Sequence, residues 1–468
     1  MNPFLNPVTA LPFLKNYIFD PKRIYRLNHD RLKKYKDKVF RKMIKYSFSI
    51  PLYHDLYKKA GIYPSDIKGL NDISKLPFVT KKDFISYFPN GLIPKNYNRD
   101  KASILSTSGS TGKTVSFFVD FQTISKGICS NFRDGYTYDF NWRKIKYVSI
   151  GNFSSGKADQ VVHSTMIDKS NVVWNYDKHY LKMNVYDDFK EIIRKLNDFM
   201  PYYIISYPVA FQQLAYFKRK GYCDNINPKI IAVSGYKLDD YTRNYVKDAF
   251  NCLVVDLYTT AESLGTISFE CKSGTMHINH DFYHIEAVDN DMNLVNNGES
   301  GHVIFTRLFG KGTPFIRYTG LDDWVTINSE YNCDCGLQTP IFINGVEGRR
   351  STSVVLPNGK VIPSASFDIV SLVLKDLGTY KVTQFQIIQH KIDYIEICLI
   401  IDNDLRDVGP SVDLIIKNIT EIYEKKYGPD IKINVKEVKE IKSPPGKPLP
   451  LVISKVKIEE ALKILDSK

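Results

Sequence analysis

No part of this 468-residue chain is an uninterrupted apolar run long enough to span a membrane, which argues against a transmembrane helix. The start, Met1-Asn-Pro-Phe, lacks the basic segment and apolar stretch of a secretory signal. Cysteine is sparse and odd in number. Seven residues do not build the disulfide framework of a small secreted domain, and they fit a reducing compartment. A soluble, cytoplasmic protein is the expectation. Internal repeats are absent, and low complexity is confined to a short proline-rich turn at 444–450. With 43% apolar and 25% charged residues, the composition excludes a disordered chain. Acidic residues are the minority charge, 51 against 64 Lys and Arg, for a net +13. Such an excess raises nucleic acid or an anionic membrane as partners. The lysines are scattered, however. The mixed runs Lys33 to Arg41 and Lys436 to Lys442 are interleaved with apolar residues, as on solvated helix or strand faces. Neither a nucleic-acid partner nor a membrane span is expected.

A chain of this length exceeds the size at which single cores stop growing, so two domains are expected. Residues 1–100 read as mainly helical. Val39, Met43 and Ile44 keep roughly helical spacing, and Ser49-Ile-Pro51 stops that helix. From about 100 to 345, short apolar runs such as Tyr147 to Ile150, Tyr203 to Ser206, Ile230 to Ser234 and Leu253 to Tyr258 alternate with helix-compatible stretches at 186–199, 208–220 and 239–250. That alternation predicts layered α/β structure with strands partly parallel and ligands at the strand ends. After Gly348 the character changes. A hairpin around Asn358-Gly359, strands at Val382 to Gln389 and Tyr394 to Ile401, a helix from about Ser411 to Tyr427 and a strand near Ile431 to Val438 make a compact α+β unit. The fold class is α/β: a large layered domain over 1–348 and a small α+β domain over 349–468.

Ser106-Thr-Ser-Gly-Ser-Thr-Gly-Lys-Thr114 lies between apolar runs and is built to hold phosphate. Gly109 and Gly112 let backbone N–H groups approach a ligand closely, the hydroxyls add donors, and Lys113 adds charge. A flexible Ser/Gly linker needs neither the lysine nor flanking strand-like runs. A nucleotide P-loop fails on its first glycine, because Thr107 stands there.

This motif resembles the phosphate loop of the adenylate-forming enzymes. Further segments, Ile50 to Tyr57, Gly61 to Ile67 and Leu76 to Asp83, are similar to the phenylacetate–CoA ligase-like branch, whose members include proteins of capsular polysaccharide biosynthesis. The partner motifs follow in family order. Tyr258-Thr-Thr-Ala-Glu262 resembles the Tyr-Gly-x-Ser/Thr-Glu motif, which implies that Tyr258 stacks near adenine and Glu262 helps hold Mg²⁺. Thr259 replaces the glycine and Ala261 the hydroxyl residue. Pro314 to Asp322 resembles the segment whose aspartate takes both ribose hydroxyls, a task for an ionised acceptor. Ungapped counting gives Asp322, and Thr319-Gly320 leaves Asp323 open as the alternative. Gly348-Arg349 resembles the hinge opening, with Arg349 near ribose and phosphate, although Arg350-Ser-Thr-Ser353 replaces the usual hinge residues. Ser443-Pro-Pro-Gly-Lys447 resembles the loop of the adenylation lysine.

The resemblance therefore implies the adenylate-forming fold with a mobile C-terminal lid domain. The nucleotide site would draw on Ser106, Thr107, Ser108, Gly109, Ser110, Thr111, Gly112, Lys113, Gly235, Tyr258, Asp322 and Arg349. Lys447 and Glu262 would be catalytic. It implies an AMP-forming ligase that turns ATP, Mg²⁺ and a small carboxylic acid into an acyl-adenylate and passes the acyl group to a thiol, coenzyme A. Tyr207-Pro208, Ser234-Gly235-Tyr236 and Asn152-Phe153 are candidates for the acyl pocket. An amine acceptor in surface polysaccharide synthesis and a nucleotide-binding scaffold with lost turnover stay open, the latter because of Thr259, Ala261 and the hinge.

A second set stands apart from the nucleotide chemistry. Cys271, His277, Cys333 and Cys335 offer three thiolates and an imidazole, a complete tetrahedral set for structural Zn²⁺. Some members of the resembled branch have Cys…His…Cys-x-Cys at like positions. Unrelated buried residues are the plainer alternative, and His280 and His284 are rival ligands nearby.

Overall fold

The computed structural model describes residues 2–107, 114–171, 178–349, 352–364, 367–441 and 451–458. It comprises two compact units, Met1–Asn184 with Leu257–Gly345, and Val185–Asp256 with Val346–Lys468.

In the first unit the N-terminal segment is helical as expected. Asn28 caps helix His29–Ser47 by accepting from the Arg31 backbone N–H at 3.1 Å, and Phe40, Met43 and Ile44 line its buried side. That helix stops at Ser47, just ahead of Ser49-Ile-Pro51 as expected, and Pro51 has a second role. It opens the next one, Pro51–Lys59, at the first helical position, where a missing N–H costs nothing. A shorter helix, Pro7–Phe19, precedes both and buries Phe13. The strands Tyr283–Val288, Ser300–Arg307, Asp323–Asn328, Ile341–Arg349, Met276–Ile278, Thr266–Glu270 and Leu253–Thr259 lie side by side in that order, with residues 253–256 and 346–349 counted to the second unit. Antiparallel registers include Tyr283 with Arg307, Ile341 with His277 and Tyr258 with Ser268. A parallel pair, Tyr147–Gly151 with Tyr180–Asn184, and the antiparallel hairpin Ala102–Ser106 with Ser116–Asp120 complete its sheet structure.

The second unit contains a βαβ turn of chain in which Tyr203–Ser206 runs parallel to Ile230–Ser234 through helix Pro208–Arg219. Parallel pairing is thus found where helices separate the strands, and the short connections after Thr259 give antiparallel pairing. C-terminally, Val382–Lys391 and Tyr394–Ile401 form an antiparallel pair flanked by Val452–Ser454 and Lys432–Glu437, each parallel to its neighbour. Ser411 caps helix Val412–Tyr427 by accepting from Leu414 N–H at 3.1 Å. Ile415, Ile419 and Tyr423 of that helix pack with Phe367, Ile387 and Ile397 in one buried cluster, and Tyr423 donates to the Phe367 carbonyl at 2.7 Å. The sequence reading had not included helix Val370–Asp376 or strand Val452–Ser454.

Candidate functional site

The phosphate-loop stems are the innermost pair of the 102–120 hairpin. Ser106 stands opposite Ser116, and their hydroxyls meet at 2.8 Å. Thr107 N–H donates to the Val115 carbonyl at 2.9 Å, and Val115 N–H donates to Thr107 Oγ1 at 3.2 Å. Leu105, Val115 and Phe117 are buried and seat these stems in the core. Ser108, Gly109, Ser110, Thr111, Gly112 and Lys113 lie outside the described residues, as does Lys447.

Tyr258 sits near the end of strand Leu253–Thr259. Its hydroxyl donates to Asp323 Oδ2 at 2.6 Å, and the Phe342 ring stands edge-on to it at 6.0 Å between centroids. Asp323 opens its own strand and is 6% exposed. Asp322, one residue earlier, is half-buried with φ +66°. The two adjacent carboxylates are therefore differently placed: Asp323 anchors the phenol, and Asp322 occupies a left-handed turn position. Glu262 follows in a tight turn where Ser263 N–H donates to Thr260 Oγ1 and Thr260 N–H to Ser263 Oγ, both at 3.2 Å. The Glu262 side chain is buried. Its backbone carbonyl accepts from Arg307 Nη1 at 2.8 Å, and Arg307 Nη2 reaches the Thr313 carbonyl at 2.8 Å. Arg307 is fully buried, and burial pushes its pKa down to about 10. This guanidinium pins the Glu262 turn to the 307–315 loop. No sequence motif pointed to it.

In the second unit, Gly235 follows strand Ile230–Ser234 with φ +84°. A Cβ there would lie 2.8 Å from the Tyr207 ring, so both the turn and the neighbour require glycine. Tyr207 stands edge-on to Tyr236 at 6.4 Å, and the Arg349 guanidinium lies 6.0 Å from the Tyr236 ring centre. Burial raises the Tyr236 phenol, and Arg349 opposes that shift. Gly235, Tyr236, Tyr207 and Arg349 are thus brought together. In the first unit, Asn152 N–H donates to Asp159 Oδ2 at 2.9 Å, and Phe153 packs on His163 at 5.8 Å.

The metal-ligand set comes together from two distant segments. One donor atom from each of Cys271, His277, Cys333 and Cys335 lies within 4.8 Å of all the others. Cys271 Sγ and Cys333 Sγ are 3.6 Å apart, close to the edge of about 3.8 Å set by tetrahedral zinc–sulfur bonds of about 2.3 Å. His277 Nε2 is 3.2 Å from Cys335 Sγ, and its Nδ1 meets Thr339 Oγ1 at 2.8 Å. That second contact turns Nε2 toward the thiols. Burial pushes His277 down to about 4, keeping the imidazole neutral as a metal ligand must be. Burial pushes the Cys335 thiol up to about 12. It also acts to raise Cys333, where hydrogen bonds from Thr275 and Cys335 outweigh it and lower the thiol. Gly274 N–H to the Cys271 carbonyl and Gly336 N–H to the Cys333 carbonyl, both 2.9 Å, shape the two ligand turns. The donor set and spacing fit Zn²⁺. His280 and His284 belong elsewhere: they line a cavity of about 540 Å³ with Lys36 and Asp37.

No protein-family model matches the chain. Protein CapK of Staphylococcus aureus is 25% identical over 414 residues, 86% of this chain and 85% of CapK. The phenylacetate-coenzyme A ligase of Thermus thermophilus is 22% identical over 356 residues, 72% and 75% of the two chains. Among solved structures, 2-hydroxyisobutyryl-CoA ligase in the postadenylation state with R3-HIB-AMP superposes with a TM-score of 0.75 at 16% identity, covering 96% of this chain and 94% of that one. The anthranilate CoA ligase in complex with anthranoyl-AMP gives 0.52 at 13% identity, covering 83% and 71%. In sequence the chain is similar to CapK and to phenylacetate-coenzyme A ligases, and its fold is that of the adenylate-forming CoA ligases.

Proposed function

We propose that the chain is an AMP-forming acid–CoA ligase. A carboxylate oxygen of the acid attacks the α-phosphorus of ATP, the bond to the oxygen bridging the α- and β-phosphates breaks, and pyrophosphate leaves. The thiol of coenzyme A then attacks the acyl carbon of the acyl-adenylate. The bond to the phosphate oxygen breaks, AMP departs, and the thiol gives up its proton. The observation that carries this reading is the Tyr258–Asp323 hydrogen bond with Glu262 in the adjoining buried turn, in a chain whose sequence relatives include phenylacetate–CoA ligases.

In this reading Tyr258 stacks on adenine, Asp322 accepts from the ribose hydroxyls, and residues 106–113 take the phosphates. Lys447 and Arg349 supply positive charge where it is needed as phosphate oxygens rearrange. Glu262 is the residue that would hold Mg²⁺, which neutralises phosphate charge when bound. Zn²⁺ on Cys271, His277, Cys333 and Cys335 would be structural, since four protein ligands leave no open position. Residues 349–468 swing about Gly348-Arg349 between the half-reactions. Seven free cysteines suit a reducing cytoplasm. A second reading, transfer to an amine, is separated from the first by the acceptor added in the assay.

The test is pyrophosphate release from ATP and Mg²⁺ across a panel of carboxylic acids, followed by mass spectrometry with coenzyme A or amines added. Lys447→Ala is expected to lose the first half-reaction by several kcal/mol of barrier, about a hundredfold or more. It should still convert supplied acyl-adenylate to thioester at near wild-type rate. An absence of acid-dependent pyrophosphate release would sink the ligase reading, and equal damage to both half-reactions would remove Lys447 from its role.

A further inference from the structure

Helix Pro7–Phe19 carries apolar side chains on its exposed side as well as on its buried one. Phe13 anchors it, edge-on to Phe4 at 5.3 Å between ring centres and tilted against Phe121 at 6.4 Å. Away from that anchor, Val8 is 74% exposed, Leu11 64%, Leu14 42% and Ile18 47%, with Leu5 at 58% just before the helix and Phe19 at 56% at its end. Lys15 is the helix's one charged residue. Single exposed apolar residues are ordinary, but six at near-helical spacing on one short segment are not. A helix apolar on both sides is covered on both sides when it works.

Charge decides what covers it. Twelve of the first fifty residues are Lys or Arg and three are Asp or Glu, so most of the chain's +13 excess lies here. Lys15 stands on the helix and Lys22 just past its end. Exposed Arg143 packs its guanidinium 5.4 Å from the Tyr17 ring centre, and the carbonyl of exposed Lys169 accepts from Asn2 Nδ2 at 2.7 Å. A second copy of the chain would cover the apolar side chains only by bringing two basic segments together. An anionic lipid surface takes both, with Leu, Ile and Phe in the acyl boundary and the cations on headgroup phosphates. We infer that Pro7–Phe19 lies in the plane of an anionic membrane and docks the protein there peripherally. No helix among the described residues is long and apolar enough to cross a membrane, and docking of this kind requires none.

The test is sedimentation of the full chain with vesicles of phosphatidylglycerol and phosphatidylcholine, against phosphatidylcholine alone. Wild type is expected to bind the anionic vesicles at least about tenfold more tightly, with binding falling as salt rises. Val8→Asp with Leu11→Asp should weaken binding at least about tenfold, and Lys15→Glu with Lys22→Glu should weaken it in the same direction. The melting temperature of the aspartate variant should match wild type, because both side chains are exposed; binding is compared only at matched melting, and the lysine pair, which leaves the apolar side chains intact, provides the independent reading. Wild type that ignores anionic vesicles, or an aspartate variant that binds as wild type does, overturns the inference. A wild-type dimer that the aspartate variant makes monomeric, with vesicles unbound, assigns the face to a second copy instead.

Discussion

The phenol of Tyr258 donates to a carboxylate that is otherwise almost wholly covered. Phenylalanine at this position keeps the ring for the proposed stacking on adenine and leaves Asp323 without that donor. Loss of a hydrogen bond to a charged group costs about 1.5–3 kcal/mol. Tyr258→Phe is therefore expected to raise KM for ATP about tenfold or more with a smaller change in kcat, measured by steady-state pyrophosphate release. Asp323→Asn keeps an acceptor for the phenol and should be milder than Asp322→Asn, which removes the proposed ribose acceptor. The opposite ranking would give the ribose to Asp323. The motif around these residues was legible because a short string of residue types carries it. Which of two adjacent aspartates meets the tyrosine was not, since that depends on where strand Asp323–Asn328 begins. Arg307 and Thr339 left no signal at all. Their partners are two backbone carbonyls, for Arg307, and an imidazole, for Thr339, brought near by folding.

Among the elements, those with a clean period were legible. Helix Val412–Tyr427 and strands Val382–Lys391 and Tyr394–Ile401 were found within a residue or two by their apolar spacing. The stop ahead of Pro51 was legible and the helix that Pro51 opens was not, because a proline that follows one helix closely also suits the first position of the next. The strand carrying His277 is three residues long, and its register against Ile341 and Phe269 could not be read from so short a run. That register selects His277 over His280 and His284 as the partner of the cysteines. Purified protein is accordingly expected to carry about one Zn²⁺. Cys333→Ser should lower zinc content and melting temperature together, because binding at such a site is coupled to folding. Zinc-free protein prepared without chelator, with an unchanged melting curve for Cys333→Ser, would refute the assignment.

For the whole molecule, acid sensitivity follows from imidazoles that folding keeps neutral. Burial, with Lys36 adding to it, pushes His280 and His284 down to about 3 from an ordinary 6.5. The unfolded chain thus binds more protons than the folded chain between those values. Stability is full above about pH 6.5 and falls as pH drops through that window, by about 2 kcal/mol per imidazole by pH 5. Asp281 adds a later loss. Burial favours its neutral form, but Arg133 and Arg23 outweigh burial and hold the carboxyl below its ordinary 3.8, so their contribution fades only beneath that pH. Thermal melts should show a falling midpoint from pH 7 to 5 and a shallower fall in His284→Gln; equal slopes would argue against this origin. The chain between Cys271 and Cys333 holds Arg307, Asp322 and Asp323, and the two sulfurs that close it lie 62 residues apart in sequence. If zinc fills the cysteine–histidine set, a cell starved of it would lose more than a structural ornament: the segment that presents the proposed ribose acceptor would be tethered at one end fewer, and nucleotide affinity would become a readout of the cell's metal supply.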